Sequence, residues 1–172
     1  MNKPTTLLIA TLIGGCAYAL PTQGNRIDSP KPTVKQGYHT TGRGNKDAVM
    51  LCIDMSKMPK NTLVSHIDML LKGNTPRNID RVKVYQTATT EFYSLEKKRR
   101  QLLCTALPHK GKMTLNLNRC RSTGDKPYLW ITADVSQRAA LEDYIDAKVI
   151  ALNCRRAPVG KLKTVFPADG DP

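Results

Sequence analysis

The chain has 172 residues and carries 27 lysines and arginines against 14 aspartates and glutamates, a formal net charge of +13. This excess favours acidic partners such as polyanions, anionic lipid headgroups or sialylated and sulfated glycans, but it does not select one of them. No apolar stretch approaches the roughly 20 residues that a bilayer-spanning helix needs, which excludes a transmembrane helix.

The first residues have the layout of an export signal. Lys3 precedes the apolar stretch 7–13, and Ala17-Tyr18-Ala19 then forms an A-x-A cleavage pattern. This predicts a signal peptide over residues 1–19 and an exported protein, located in the periplasm, at the cell surface or outside the cell. An alternative is a bacterial lipoprotein signal, Ile13-Gly14-Gly15-Cys16, in which lipidated Cys16 would be the only membrane attachment.

Removal of this leader leaves about 150 residues, the usual size of one domain. The cysteines that remain either form disulfides, in a pairing that the sequence does not determine, or are buried strand residues. No C-x-x-C occurs and only three histidines are present, so neither a zinc site nor another cofactor is expected. The four disulfide candidates are Cys52, Cys104, Cys120 and Cys154.

Composition divides the remaining chain into three parts. Residues 20–46 are rich in Pro, Gly, Thr and Lys without an apolar period, which predicts a flexible lead-in. Short apolar-alternating runs separated by turn residues then occupy residues 47–154, as is typical of an antiparallel sandwich or barrel. Residues 155–172 are assigned to a C-terminal tail.

The first three runs predict strands with one apolar face each. Run 48–55 places its odd-numbered residues, Val49 to Met55, on one face. Run 63–71 likewise places its odd-numbered residues, Leu63 to Leu71, on one face. Run 79–87 sets Val82 and Val84 against Arg81, Lys83 and Tyr85. Lys72 to Pro76 is a turn by composition.

Three later runs complete the predicted sheets: 113–118, 128–135 and 144–152, the last apolar on both faces like a buried central strand. Residues 136–143 could form one helical turn with Ser136 as its cap, and residues 95–103 are a weak helix candidate. The sequence therefore predicts an all-β, jelly-roll-like antiparallel β-sandwich with at most one short helix.

Known catalytic patterns are missing from the chain. It contains no G-x-S-x-G, H-E-x-x-H, P-loop or dinucleotide glycine pattern, and Asp54, Asp68 and Asp134 are interpreted as solvated or turn-capping carboxylates. No enzyme activity is expected.

The basic run 97–100 could form a polyanion patch together with downstream cations, or it could be a solvated face that keeps the protein soluble; the second interpretation is favoured. Only Phe92 and Tyr93 flank this run, whereas nucleic-acid modules interleave charge with stacking aromatics, so nucleic acid is an unlikely partner. The downstream cations are Lys110, Lys112, Arg119 and Arg121.

Aromatic residues in the strands suggest a sugar site instead, because rings stack on the apolar face of a pyranose. Trp130 and Tyr128 share the face opposite the leucine-rich one, and Tyr85 shares a face with Arg81. These four residues are the candidate ligand-binding set. The alternative is that Trp130 packs under a loop or into a second sheet.

Two stretches carry motifs of a known family. Lys72–Thr75 followed by Asn78–Tyr85 looks like "G-t, then d-I-x-x-V-x-V-y", and Gly124–Ile131 followed by Ala133–Ser136 looks like "G-x-n-Y-x-W-l, then a-D-v-s". Ile145-Asp146-Ala147 adds a similar "i-d-A". In this order they make the segment from Asp47 to about Leu152 resemble the N-terminal accessory domain of BNR-repeat neuraminidases, the bacterial exo-sialidases.

The resemblance implies a β-sandwich placed ahead of a six-bladed catalytic propeller, with a glycan-binding role in some members. No S-x-D-x-G-x-T-W Asp box occurs in this chain, and the Gln/Pro-bearing first strand of the family is not evident in the lead-in. The resulting hypothesis is a non-catalytic module that binds sialylated or other acidic glycans. The alternatives are an interaction module that docks on an envelope protein without binding sugar, and a truncated remnant of an exo-α-sialidase.

Overall fold

The structure of the protein is a computed structural model. It describes residues 31–37, 41–94, 96, 99–122, 124–140, 144–156 and 160–166. The predicted signal peptide and Cys16 lie outside the described residues. Within them, no helix is long and apolar enough to span a bilayer.

Nine strands and one short helix make up the described chain. The helix α1 covers only Thr75–Asn78 and begins in the last two residues of the segment predicted as a turn. The strands are β1 Thr33–Gln36, β2 Ala48–Asp54, β3 Leu63–Leu71, β4 Ile79–Thr87, β5 Gln101–Ala106, β6 Gly111–Arg121, β7 Tyr128–Val135, β8 Ala147–Arg156 and β9 Gly160–Val165.

These strands form two antiparallel sheets. Sheet A has the order β1-β2-β7-β4-β5 and sheet B the order β6-β3-β8-β9. The chain passes from one sheet to the other between most consecutive strands and stays in one sheet only in the β1–β2, β4–β5 and β8–β9 pairs. The predicted all-β sandwich with one short helix is confirmed.

The core lies between the inner faces of the two sheets. Val82 and Val84 of β4 and Leu129 and Ile131 of β7 are fully buried on the sheet A side, as their alternation predicts. Ile67 of β3 faces them from sheet B together with other buried apolar side chains. The strands thus direct one face inward and leave the other free for polar or ligand-binding residues.

Two β-bulges change which residues face this core. In β2 the pairing with β7 shifts between Val49 and Leu51, so that Met50 is buried in the core and Val49 faces outward, the reverse of the sequence prediction. In β3 the shift between Val64 and His66 puts Val64, rather than Leu63 or Ser65, into the core. An extra residue at a bulge inverts the alternation on one side of it.

Other elements also differ from their predicted bounds. β1 lies within the predicted lead-in and β9 within the predicted tail, so the sheets extend past residues 47–154. The last predicted run is a strand at 147–156, between β3 and β9. Of the weak helix candidate 95–103, residues 101–103 belong to β5. Ser136 begins a hydrogen-bonded turn, not a helix, over residues 136–140, with Ala139 N–H donating to its carbonyl at 3.2 Å.

β1 joins the sheet through a contact that only glycine allows. Gly37 N–H donates to the Met50 carbonyl at 2.7 Å, and a Cβ at position 37 would lie 2.8 Å from the Val49 carbonyl oxygen. We expect Gly37→Ala to displace β1 and to lower the free energy of unfolding by about 1–3 kcal/mol. Urea unfolding would measure this. Gly124→Ala, which meets no atom within 4 Å, is the control and should change little.

Candidate functional site

The outer face of sheet A carries a second, smaller apolar cluster, called here the aromatic cluster. Val49, Cys52, Phe92 and Trp130 are its buried members, and Tyr85 and Tyr128 pack against them half-buried. Register explains the assembly, because Cys52, Trp130 and Tyr85 lie side by side on β2, β7 and β4. The predicted outward direction of Trp130 and Tyr128 is therefore confirmed.

Trp130 is nevertheless only 8% exposed. Its indole Nε1 donates to Thr87 Oγ1 at 2.7 Å, and the ring of Phe92 lies over it with 5.5 Å between centroids. Phe92 belongs to the connection between β4 and β5. Of the two interpretations of Trp130, packing under a loop is the one that the structure realises.

Two further contacts of Phe92, and one of its neighbour Tyr93, hold the connection in place over the sheet. The Arg100 guanidinium lies 4.1 Å from the Phe92 ring centroid, a cation–π geometry. Phe92 also packs against Tyr85, with ring centroids 5.6 Å apart. The Tyr93 hydroxyl accepts a hydrogen bond from Val49 N–H at 2.9 Å, satisfying a donor at the β2 bulge. The connection is thus fixed to β2, β4 and β7.

A cleft of about 190 Å³ opens beside the aromatic cluster, between Thr90 and strand β1. Tyr128 and Trp130 of β7 contribute aromatic surface to it, and Lys35 contributes a cation. The remaining lining residues are Gln36, Gly37, Val49, Cys52 and Asp54. Sequence reasoning missed the contribution of β1, because nothing in the composition of the lead-in indicates a strand there.

The cleft offers groups for recognition rather than for bond breaking. Half-buried Tyr128 presents ring surface, Lys35 is exposed, and the Asp54 carboxylate accepts Ser56 N–H at 2.8 Å. Burial, with a smaller effect of Asp54, raises the pKa of Cys52 to about 12, so this thiol stays protonated near neutral pH. A protonated thiol is a poor nucleophile.

The other two predicted ligand residues lie outside the cleft. The Tyr85 hydroxyl donates to Asp47 Oδ1 at 2.9 Å, and burial, together with Asp47, raises the pKa of Tyr85 to about 12. Arg81 is exposed near the far end of β4, opposite Asp134. The structure therefore brings Trp130 and Tyr128 together, leaves Tyr85 in the cluster behind them and separates Arg81.

Next to Tyr85 lies a polar network that sequence reasoning did not identify. Lys83 Nζ is 2.9 Å from Asp47 Oδ1 and 2.7 Å from Asp134 Oδ1, and Asp47 N–H donates to Asp134 at 3.2 Å. Burial acts to raise the pKa of Asp134, but Lys83 and this N–H outweigh it and hold the pKa below its usual value. Asp47 has a positive φ of 59°, which aspartate tolerates better than most residues. The network ties the start of β2 to β4 and β7.

All four candidate cysteines are free thiols. Cys120 and Cys154 are both register partners of Val64, one on each side of β3. Two strand spacings, about 9–10 Å, exceed the roughly 7 Å between Cα atoms that a disulfide can bridge. Among the residues that the structure describes, no group of three His, Cys, Asp or Glu side chains is arranged to hold a metal.

No family model and no curated protein matches the sequence. Among solved structures, the Hadza microbial sialidase Hz136 is similar to this chain, with a TM-score of 0.58 at 11% sequence identity. The likeness covers 77% of this chain but 30% of the sialidase chain. At this identity it shows the fold alone: the sandwich fits a sialidase-related domain at the level of the fold.

Proposed function

We propose that the chain is an exported, non-catalytic module related to sialidase accessory domains, and that it binds acidic glycans in the cleft beside Tyr128. The observation that carries this proposal is the pairing of the Tyr128 ring with the Lys35 cation in one concave site. The net charge of +13 and the fold-level likeness to a microbial sialidase support the same class of ligand.

Each group in the cleft has a role that suits a sugar. The ring of Tyr128, with the adjoining edge of Trp130, stacks against the apolar face of a pyranose. The Lys35 ammonium attracts the carboxylate or sulfate of an acidic sugar. Gln36 and Asp54 exchange hydrogen bonds with hydroxyl groups, and Asp54 repels an acidic group bound in the reverse orientation.

The non-catalytic part of the proposal rests on the chemistry of the cleft. Glycoside hydrolysis usually needs two carboxyl groups that flank the scissile bond. Asp54 is the one carboxylate among the described residues that line the cleft, and the Cys52 thiol is protonated. These groups suit binding of a sugar without cleaving it.

An interaction module that docks on an envelope protein is the second candidate. Burial of Trp130 under Phe92 favours it, because the aromatic platform left for a sugar is smaller than the sequence suggests. The two candidates differ in what they require of Tyr128, since a sugar site needs its ring and a remote docking surface does not.

A glycan-array screen followed by calorimetry with sialyllactose tests the proposed function. We expect Tyr128→Ala and Lys35→Gln each to weaken binding about tenfold, because each removes roughly 1–2 kcal/mol of stacking or charge-assisted hydrogen bonding. Lys110→Gln is the matched control: it makes the same change in charge at an exposed position in the β5–β6 turn, away from the cleft.

Equal weakening by Lys35→Gln and Lys110→Gln would show that net charge, and not the cleft, attracts the glycan. Failure of the folded wild-type protein to bind any arrayed glycan would favour the interaction module.

A further inference from the structure

Cationic residues form a cross-strand row in the register of sheet B. In the register of the sheet, Leu63 of β3 is flanked by Arg121 of β6 and Arg155 of β8, and Lys161 of β9 is the partner of Arg155. Arg121 and Arg155 are both exposed. The row, called here the basic row, therefore places three cationic positions on four neighbouring strands.

A second row of hydrogen-bonding residues runs parallel to the basic row. His66 of β3 lies between Asn116 and Asn153, and Asn153 is in turn the partner of Lys163 on β9. Asn116 and Lys163 are exposed, whereas His66 and Asn153 are half-buried. This side of sheet B thus combines cations with amide groups that can bond to hydroxyls.

Negative charge within the strands of sheet B is limited to one side chain. Asp68 is the single acidic residue in the strands of sheet B, one row beyond His66. Its carboxylate accepts Thr114 Oγ1 at 2.8 Å and Asn153 Nδ2 at 3.4 Å, and Lys112 Nζ lies 3.2 Å away. Asp68 is therefore neutralised by Lys112 and does not offset the charge of the basic row.

Protection of sheet edges explains only part of this pattern. Lysine and arginine on edge strands discourage edge-to-edge aggregation, which would account for Arg121 on β6 and for the lysines on β9. Arg155 lies on β8, an inner strand between β3 and β9, where no edge needs protection. Like charges on directly opposite residues, such as Arg155 and Lys161, destabilise a sheet. This repulsion destabilises the sheet and protects no edge, which points to an anionic ligand as the reason for these cations.

We propose that the basic row is a second binding surface, distinct from the cleft, for an anionic polysaccharide with carboxylate or sulfate groups. Arg121 and Arg155 are two strand spacings apart, about 10 Å, which suits charged groups repeated along a polymer. The asparagines beside them suit its hydroxyls. Neither row includes an aromatic ring in the described part of the chain, so bases of a nucleic acid would have nothing to stack on.

The test measures binding of the full chain to heparin and to polygalacturonate, the sulfated and carboxylated probes, with dextran and a DNA duplex for comparison. The double variant Arg121→Gln/Arg155→Gln should bind both acidic polysaccharides at least about tenfold more weakly, since it loses two charge-assisted contacts. Its melting temperature should stay equal or rise, because like-charge repulsion is relieved.

The control double variant Arg43→Gln/Lys110→Gln removes the same charge from exposed positions outside sheet B and should weaken binding less than threefold. Equal losses in the two double variants would overturn the proposal, as would DNA binding that is tighter than polysaccharide binding and equally dependent on Arg121 and Arg155. The double variant Arg121→Gln/Arg155→Gln should leave binding of sialyllactose in the cleft unchanged, because neither arginine lines the cleft, so failure of the cleft and failure of the basic row are distinguishable.

Discussion

Replacing Trp130 with alanine should lower the free energy of unfolding by about 3–5 kcal/mol, the range for large aromatic side chains removed from packed sites. The indole fills the space between β7 and Phe92 and donates to Thr87 Oγ1, so its loss leaves a cavity and removes one hydrogen bond, while the Thr87 hydroxyl still donates to the Thr89 carbonyl. Urea unfolding at neutral pH would measure the change.

Two milder variants separate packing from hydrogen bonding. Trp130→Phe keeps most of the ring volume. Thr87→Val leaves the indole in place but removes the hydroxyl that accepts the indole N–H and donates to the Thr89 carbonyl at 3.0 Å. Each variant should cost about 1–2 kcal/mol. A cost of less than 1 kcal/mol for Trp130→Ala would mean that Phe92 does not pack on the indole as described.

This expectation determines how the cleft can be mapped. A residue that holds a loop to the sheet cannot be removed without disturbing its neighbours, so lost glycan binding in Trp130→Ala would not identify a contact. Tyr128 is half-buried at the mouth of the cleft and can be truncated with less damage. Tyr128 and Lys35 are therefore the informative positions.

Stretches with regular alternation were predictable from the sequence. In β4 the buried valines 82 and 84 alternate with polar neighbours, and the strand spans residues 79–87 as expected. The bulges in β2 and β3 were not predictable, because at each of them two adjacent apolar residues compete for the core. Met50 and Val49, like Val64 and Leu63, are equally plausible core residues, and only the pairing with neighbouring strands decides between them.

The candidate site was predictable only where a single strand defines it. Period-two alternation in β7 places Trp130 and Tyr128 on the outer face. Covering of Trp130 by Phe92 depends on a connection from another part of the chain, and Lys35 enters the cleft through a strand with no apolar pattern. Long-range packing of this kind leaves no local periodicity.

Replacing Lys83 with methionine should cost about 2–4 kcal/mol at neutral pH, because it leaves two poorly exposed carboxylates close together without their cation. Side-chain exposure is 16% for Lys83 and 7% for Asp134, so water would compensate little. The matched control is Lys72→Met, whose partner Asp146 lies 3.4 Å away in a pair that is 35% and 41% exposed. Exposed pairs contribute about 0–1 kcal/mol, so the control should change little.

Dependence on pH identifies the origin of this cost. Since the pKa of Asp134 is lowered in the folded protein, its contribution to stability is present above about pH 4, the unfolded value, and is lost as the pH falls through the folded pKa. In the Lys83→Met variant the pKa shift of Asp134 has the opposite direction, because burial without the ammonium raises this pKa. Acidification then protonates Asp134 and relieves its repulsion from Asp47. The deficit of the variant relative to wild type should therefore shrink between pH 7 and pH 4 in urea unfolding. A deficit that stays constant over this range would assign the cost to packing of the lysine chain instead of to the two carboxylates.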